Sequence, residues 1–99
     1  MLSIDYVPEF EGFDWSGGKG EKNWDRHQVM PQEAEQVFFN IPLLFRPDVN
    51  HSRREQRFYV LDQTDKGREL FVAFTLRDRR LRVISARDMS RKERRRYRL

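Results

Sequence analysis

The sequence predicts an α+β domain in which N-terminal helices pack on a small antiparallel β-sheet meander that ends in a short basic helix. Three observations carry this expectation. Apolar residues at helical spacing are confined to the first forty positions. Between Arg57 and Arg87, alternating apolar and polar residues are divided by connections too short for anything but antiparallel neighbours. The segment Ser90-Arg91-Lys92-Glu93 then has the form of a capping box, which starts a helix. A chain of 99 residues has room for one such core.

Residues 1–12 show no period: Ile4, Tyr6, Val7 and Phe10 are scattered around Pro8 and stop at Gly12. They read as a variable N-terminal extension or an edge strand, with residues 13–99 as the single domain. Phe13-Asp14-Trp15 has the look of a short extended piece. Ser16 is placed to accept from the first free amides of a helix running to about His27. Gly17, Gly18 and Gly20 weaken that helix by about 1 kcal/mol each relative to alanine, so tertiary contacts must hold it. Pro31 suits the first position of a second helix, and Ala34, Val37 and Phe38 form its apolar face. Asn40 followed by Ile41-Pro42 ends it.

Leu43–Arg46 is expected to be a short strand and Pro47–Glu55 a polar loop. Strands are expected at Arg57–Asp62, Glu69–Arg77 and Leu81–Arg87. In the middle one, Leu70, Val72, Phe74 and Leu76 share one face and Phe71, Ala73 and Thr75 the other, so both faces need cover. The last helix has only Tyr97 and Leu99 as apolar anchors. It must present Arg91, Arg94, Arg95 and Arg98 largely to solvent or to a ligand.

Charge divides along the chain. Residues 1–35 hold three Lys/Arg against eight Asp/Glu; residues 36–99 hold seventeen against eight. Sixteen of the twenty basic residues are arginine, whose planar donor fork matches a phosphate where lysine offers a point charge. The asymmetry favours a polyanionic partner over mere solubility. With no cysteine, disulfides, cysteine-ligated zinc and thiol catalysis are excluded. No run of roughly 18 apolar residues marks a membrane span, and Asp5 and Glu9 sit where a secretory signal needs positive charge. The expectation is a soluble, cytoplasmic protein.

Familiar enzyme signatures are absent: no phosphate-binding glycine loop, dinucleotide fingerprint, zinc-binding helix or nucleophile elbow. His27 and His51 are the only histidines. Neither has a second histidine at ligand spacing, so no metal or other cofactor is expected. His51 lies in a polar loop and reads as a surface residue. The remaining basic and phenolic groups could cleave RNA without metal. A base activates the ribose 2′-hydroxyl, cations stabilise the charge gathering on the phosphate, and an acid protonates the leaving oxygen. Lys19, Asn23 and Arg26 or His27 share one helix face, which could meet phosphate or be a solvated polar face.

Trp15, Lys19, Asn23, Arg26-His27 and Val29 are followed by Glu33, Ala34, Val37 and Phe38, then by Arg57-Phe58, Gly67-Arg68, Thr75 and Arg77. Arg82-Val83-Ile84-Ser85-Ala86-Arg87, Glu93-Arg94 and Tyr97 complete the series. In order and spacing it resembles the BrnT family of toxins over about residues 13–97. The most specific parts are the Trp-x3-Lys-x3-Asn-x2-basic-His opening and the Ile-Ser-Ala-Arg strand end with its Glu-Arg-x2-Tyr helix. The resemblance implies a RelE-like fold, endoribonuclease activity that halts translation, and neutralisation by a BrnA-type ribbon-helix-helix antitoxin. It also implies a two-plus-two complex that binds operator DNA through the antitoxin. Ser16 stands where the family usually has an acidic residue. Gln28 stands where it usually has glycine, and is expected to take a left-handed backbone at a cost of about 1 kcal/mol.

Carried over, the likeness places an RNA site on the exposed part of the sheet, with Lys19 and His27 beside Arg57, Arg77 and Arg87. Tyr97 either completes the site or only docks its helix. His27 is the candidate for proton transfer, since an unperturbed imidazole titrates near neutrality. Arg79, Arg80, Arg82, Arg91 and Arg94 are candidates for holding the RNA backbone. The competing reading is a basic module that binds nucleic acid or ribosome without cutting.

Overall fold

The computed structural model describes residues 7–49 and 55–99. Its elements are β1 (Gly12–Asp14), α1 (Lys19–His27), α2 (Pro31–Gln36) with a 3₁₀ turn (Val37–Phe39), β2 (Leu44–Pro47), β3 (Phe58–Gln63), β4 (Glu69–Arg77), β5 (Arg80–Asp88) and α3 (Arg91–Tyr97). The strands form one sheet in the order β1-β5-β4-β3-β2. β3 to β5 are the expected meander, and β2, the expected short strand, pairs with β3 to extend it, each shifted by a residue at most ends. The sheet as a whole is mixed and not purely antiparallel, because β1 adds to the free edge of β5 in parallel register. The helical excursion between β1 and β2 carries the chain to the opposite edge, from which the meander returns.

The two faces are covered unequally. On one, Val60, Leu70, Val72, Phe74, Leu81, Val83 and Ala86 are buried against Val29, Ala34, Val37 and Phe38 from the helical segment. Phe74 sits at the centre, with the rings of Phe38, Phe58 and Phe45 at 5.1, 5.6 and 6.3 Å. On the other face α3 buries a smaller cluster, Leu61, Met89 and Tyr97, with Leu44, Tyr59 and Phe71 at its border. The described part of the expected extension also packs down: Phe10 contacts the rings of Phe13, Phe38 and Phe39. Residues 1–6, and with them Ile4 and Tyr6, lie outside the described residues. So do residues 50–54, including His51.

A bulge in β5 decides which face its arginines occupy. Ala73 pairs with Ser85 while its neighbour Phe74 pairs with Val83, leaving Ile84 as the extra residue. Alternation therefore changes phase: Leu81, Val83 and Ala86 face the large core, and Arg80, Arg82, Ser85 and Arg87 face the α3 side. Strict alternation through Ile84, with no bulge, would carry Arg87 inward after Leu81 and Val83.

α1 does not begin as expected. The Ser16 amide donates to Asp14 Oδ1 at 2.9 Å, closing a local turn, and the helix starts only at Lys19. Its cap is Gly18 in the left-handed region (φ 72°), with no side-chain cap bond. Asp14 outcompetes the helix for that turn. Gly20 has a packing reason: a Cβ there would lie 3.1 Å from Pro31 Cγ. Gln28 is left-handed as expected (φ 53°, ψ 42°), its amide donating to the carbonyls of Asn23 and Trp24. Gln28→Gly should raise stability by about 0.5–1 kcal/mol, because glycine adopts this conformation without Cβ strain. Urea unfolding of the two proteins checks this.

The second helix starts at Pro31, with Glu33 Oε1 accepting from the Met30 amide at 3.0 Å, and ends before Asn40. α3 has the expected box: Ser90 Oγ accepts from the Glu93 amide and Glu93 Oε1 from the Ser90 amide. Arg98 and Arg94 pair with Glu69 at the start of β4 and hold the far end of α3 to the sheet. Among the described residues no helix is long and apolar enough to cross a membrane.

Candidate functional site

Because α3 covers only one end of its face, the rest of that face displays the basic strand residues. Directly opposed residues in antiparallel pairs share a side. The pairs Phe71–Arg87, Ala73–Ser85, Thr75–Arg82 and Arg77–Arg80 thus lie on the α3 side. So do Tyr59, opposite Ala73, and Arg46, opposite Tyr59. Arg57 immediately precedes β3 and falls beside Thr75, whose hydroxyl donates to the Gln56 carbonyl at 2.9 Å. The sheet therefore brings Arg46, Arg57, Arg77, Arg80, Arg82 and Arg87 onto one face.

These residues do not converge on one point. Arg87 pairs with Phe71, whereas Arg77 lies six residues further along β4. At about 3.3 Å per residue this separates them by roughly 20 Å. Arg57, Arg77 and Arg80 belong to the end near the β4–β5 turn, where Arg77 holds Glu55 in a two-pronged ion pair at 3.0 and 3.2 Å. That pair, and the fork geometry behind it, raises the Arg77 pKa. Arg79 sits in the turn itself and pairs with Glu11 at 3.1 Å, both side chains being largely exposed, so the pair adds little to stability. A span of this length suits successive phosphates of a strand rather than a single phosphate.

The other end is where α1 and its last residue, His27, come to β5. α1 runs along the edge of β5 beyond β1. Gly17 lies near the Arg82 guanidinium, Asn23 Oδ1 accepts from the Ala86 amide at 3.1 Å, and the His27 carbonyl accepts from Arg68, which also holds Asp88. Lys19, one turn before Asn23, is at the start of that row. Arg68 ties the corner together. It donates from Nε and Nη2 to Asp88 at 2.7 and 3.1 Å, from Nη1 to Glu33 and the Gln28 carbonyl, and from Nη2 to the His27 carbonyl. These hydrogen bonds hold the Asp88 carboxyl below the usual range, aided by the charge of Arg68 and, more weakly, of Arg94 and His27.

Arg87 meets this corner from the neighbouring position. It grips Glu93 with Nη1 and Nη2 at 2.8 and 3.0 Å and lies over the Phe71 ring at 4.1 Å. Phe71 stacks on Tyr59 at 5.1 Å, and Arg96 donates to the Tyr59 hydroxyl at 3.0 Å. Burial pushes the Glu93 carboxyl up, but the bonds from Arg87 and the Ser90 amide outweigh it and leave it lowered. Arg87 is thus oriented by the protein and shared with a carboxylate that any phosphate must displace or accommodate.

Of the other expected site residues, Arg82 is half-buried beside Gly17, and Arg80 and Arg91 are exposed. Arg94 is turned to Glu69 at 3.6 Å. Tyr97 is not brought to the open face: it is 9% exposed and its hydroxyl donates to Asp62 Oδ1 at 3.0 Å. Sequence reasoning missed Arg46, Tyr59 and the buried Asp62. The alternation of β3 was the available signal for Tyr59.

Burial pushes Asp62 up to about 6, against the lowering effect of bonds from the Gln63 amide and the Tyr97 hydroxyl. A carboxyl raised this far disfavours folding when ionised. The cost, at most about 3 kcal/mol, is present above pH 6 and disappears as pH falls towards 4. Asp62→Asn keeps an acceptor for Tyr97 without the charge. It should unfold at higher temperature than wild type at pH 8, by an amount worth about 1–3 kcal/mol, and lose that advantage near pH 4. Thermal unfolding across this range reads it.

Comparison with known proteins adds one match. The family model described as the ribonuclease toxin, BrnT, of type II toxin-antitoxin systems covers residues 15–93, from Trp15 beside α1 to Glu93 in α3. None of the curated proteins matches the chain.

Proposed function

The chain belongs to the BrnT family of ribonuclease toxins of type II toxin-antitoxin systems, and from that premise we propose that it is a metal-independent endoribonuclease whose RNA lies across the α3-side face of the sheet. Cleavage takes place at the corner where α1 meets the end of β5. One observation supports this reading: the bulge at Ile84 turns Arg82 and Arg87 onto the same face as Arg57 and Arg77, at the strand whose edge α1 follows down to His27.

In this reading the His27 imidazole takes the proton of a ribose 2′-hydroxyl. The freed oxygen attacks the adjoining phosphorus as the bond to the 5′-oxygen breaks, and the departing oxygen receives the proton. Arg87 donates to the phosphate oxygens as their charge grows. Lys19, Arg57, Arg77, Arg80 and Arg82 hold neighbouring phosphates, with Arg79, Arg91 and Arg94 at the margins. Tyr97 acts through its buried bond, by fixing α3 and hence Glu93 beneath Arg87. The product is a 2′,3′-cyclic phosphate and a 5′-hydroxyl. Cutting messenger RNA in the cytoplasm halts translation. A BrnA-type antitoxin, assembled two-plus-two and bound to operator DNA, keeps the activity in check.

The pairing of Arg77 with Glu55 and of Arg87 with Glu93 favours a second reading, a basic module that binds RNA without cutting. Incubation of purified protein with RNA in EDTA separates the two. Fragments ending in cyclic phosphate are expected, and an intact RNA population at stoichiometric protein contradicts the enzyme. Binding under either reading should weaken with salt with a slope of about −0.7 per phosphate neutralised.

A further inference from the structure

α1 has a second side that the RNA reading does not use. Lys19, Asn23 and His27 run along β5, whereas Glu21, Trp24 and Asp25 look the other way, into a groove of about 600 Å³ between α1 and the start of α2. Trp15, Gly20, Met30 and Pro31 line the rest of it. Trp24 and Met30 are 49% and 47% exposed, large apolar side chains that the described chain leaves half uncovered. Trp15 is fixed in place, its indole N–H donating to Glu35 at 2.8 Å. Gly20 lets α1 approach Pro31 closely enough to form the floor.

The charge around this groove excludes RNA. Its charged lining residues are Glu21 and Asp25, both carboxylates, and they stand among the first 35 residues, which carry eight acidic against three basic. A phosphodiester is repelled there. The complementary occupant is a polypeptide segment with Lys or Arg flanking one or two apolar side chains, which would cover Trp24 and Met30 while pairing with the two carboxylates. An exposed Trp beside an adaptable Met is the kind of surface on which such anchors bind.

We propose that this acidic, tryptophan-lined groove is a docking site for a basic, apolar-anchored segment of the antitoxin. The proposal rests on the toxin–antitoxin reading and extends it. The partner holds the toxin at a surface separate from the basic face, so inhibition needs no antitoxin contact with His27 or Arg87 at this site.

The test uses the full-length toxin and the antitoxin encoded beside it, with calorimetry for binding and RNA cleavage by free toxin as the second readout. Two variants are compared with wild type: Glu21→Lys/Asp25→Lys, which changes only exposed charges, and Trp24→Ala/Met30→Ala, which removes the apolar anchors. The expected result is loss of antitoxin affinity by about tenfold or more in each, with cleavage unchanged. Wild-type affinity in both variants overturns the groove assignment. A wild-type toxin that does not bind the antitoxin at all overturns the partner reading and the groove with it. A concentration-dependent toxin dimer that both variants abolish would assign the groove to a second copy of the chain instead.

Discussion

Replacing Arg87 with alanine is expected to slow RNA cleavage by about 10²- to 10³-fold, the usual cost of removing one donor that meets charge developing in a transition state. The guanidinium is held ready by two contacts that do not depend on RNA, the Glu93 fork and the Phe71 ring. Little of its binding energy is then spent on ordering it. Arg87→Lys keeps the charge and loses the fork, and should recover only part of the rate. The Glu93 carboxylate is mostly covered, so leaving it without Arg87 should also cost the fold about 1–3 kcal/mol. Single-turnover cleavage, set beside the unfolding midpoint of each variant, separates the chemical loss from the structural one.

The second large effect is expected at Arg68, on stability. Its side chain joins Asp88, Glu33 and the carbonyls of His27 and Gln28, linking the end of α1, the start of α2 and the end of β5. Arg68→Ala leaves two carboxylates and two carbonyls without this donor. A loss of about 3 kcal/mol is expected, since most of the cost lies in the groups left behind. The pH dependence has a definite sign. Asp88 is held below its ordinary range by the Arg68 bonds, so its contribution is present above the unfolded carboxylate pKa and is lost as pH falls through the lower folded value. Arg68→Ala should therefore flatten the acid limb of the stability curve. Arg68→Lys should restore only part of the loss, and urea unfolding between pH 3 and pH 7 reads both effects.

What could be read from the sequence was whatever is encoded locally. Pro31 opens a helix, Ser90 and Glu93 cap one, and the alternation between Arg57 and Arg87 sets out three strands, because each signal depends on residues within one turn or one hairpin. Ser16 failed as a cap although its type is suitable: Asp14 claims its amide two residues away, and local rules do not rank two such turns. The parallel addition of β1 to β5 joins positions nearly seventy residues apart, beyond any local pattern. The extra residue at Ile84 was invisible for a related reason, since a run of apolar and small residues fits either phase.

The site was legible only as a set. The residues that carry the family likeness include Trp15, Asn23, Glu33, Arg68, Thr75, Glu93 and Tyr97. In the structure each of these is engaged in holding elements together, through Glu35, the Ala86 amide, Arg68, Asp88, the Gln56 carbonyl, Arg87 and Asp62 respectively. Sequence alone does not separate them from His27, Arg82 or Arg87, because a family motif marks positions under constraint without stating whether fold or chemistry constrains them. Faces, ion pairs and burial make that division here.

The most direct test of the account is the single-turnover rate at which His27→Ala, confirmed as folded, cleaves RNA in EDTA. With the imidazole as the proton carrier, the rate should fall by about 10²- to 10⁴-fold while RNA affinity stays near that of wild type. Cleavage at the wild-type rate would contradict the placement of the reaction at the α1–β5 corner.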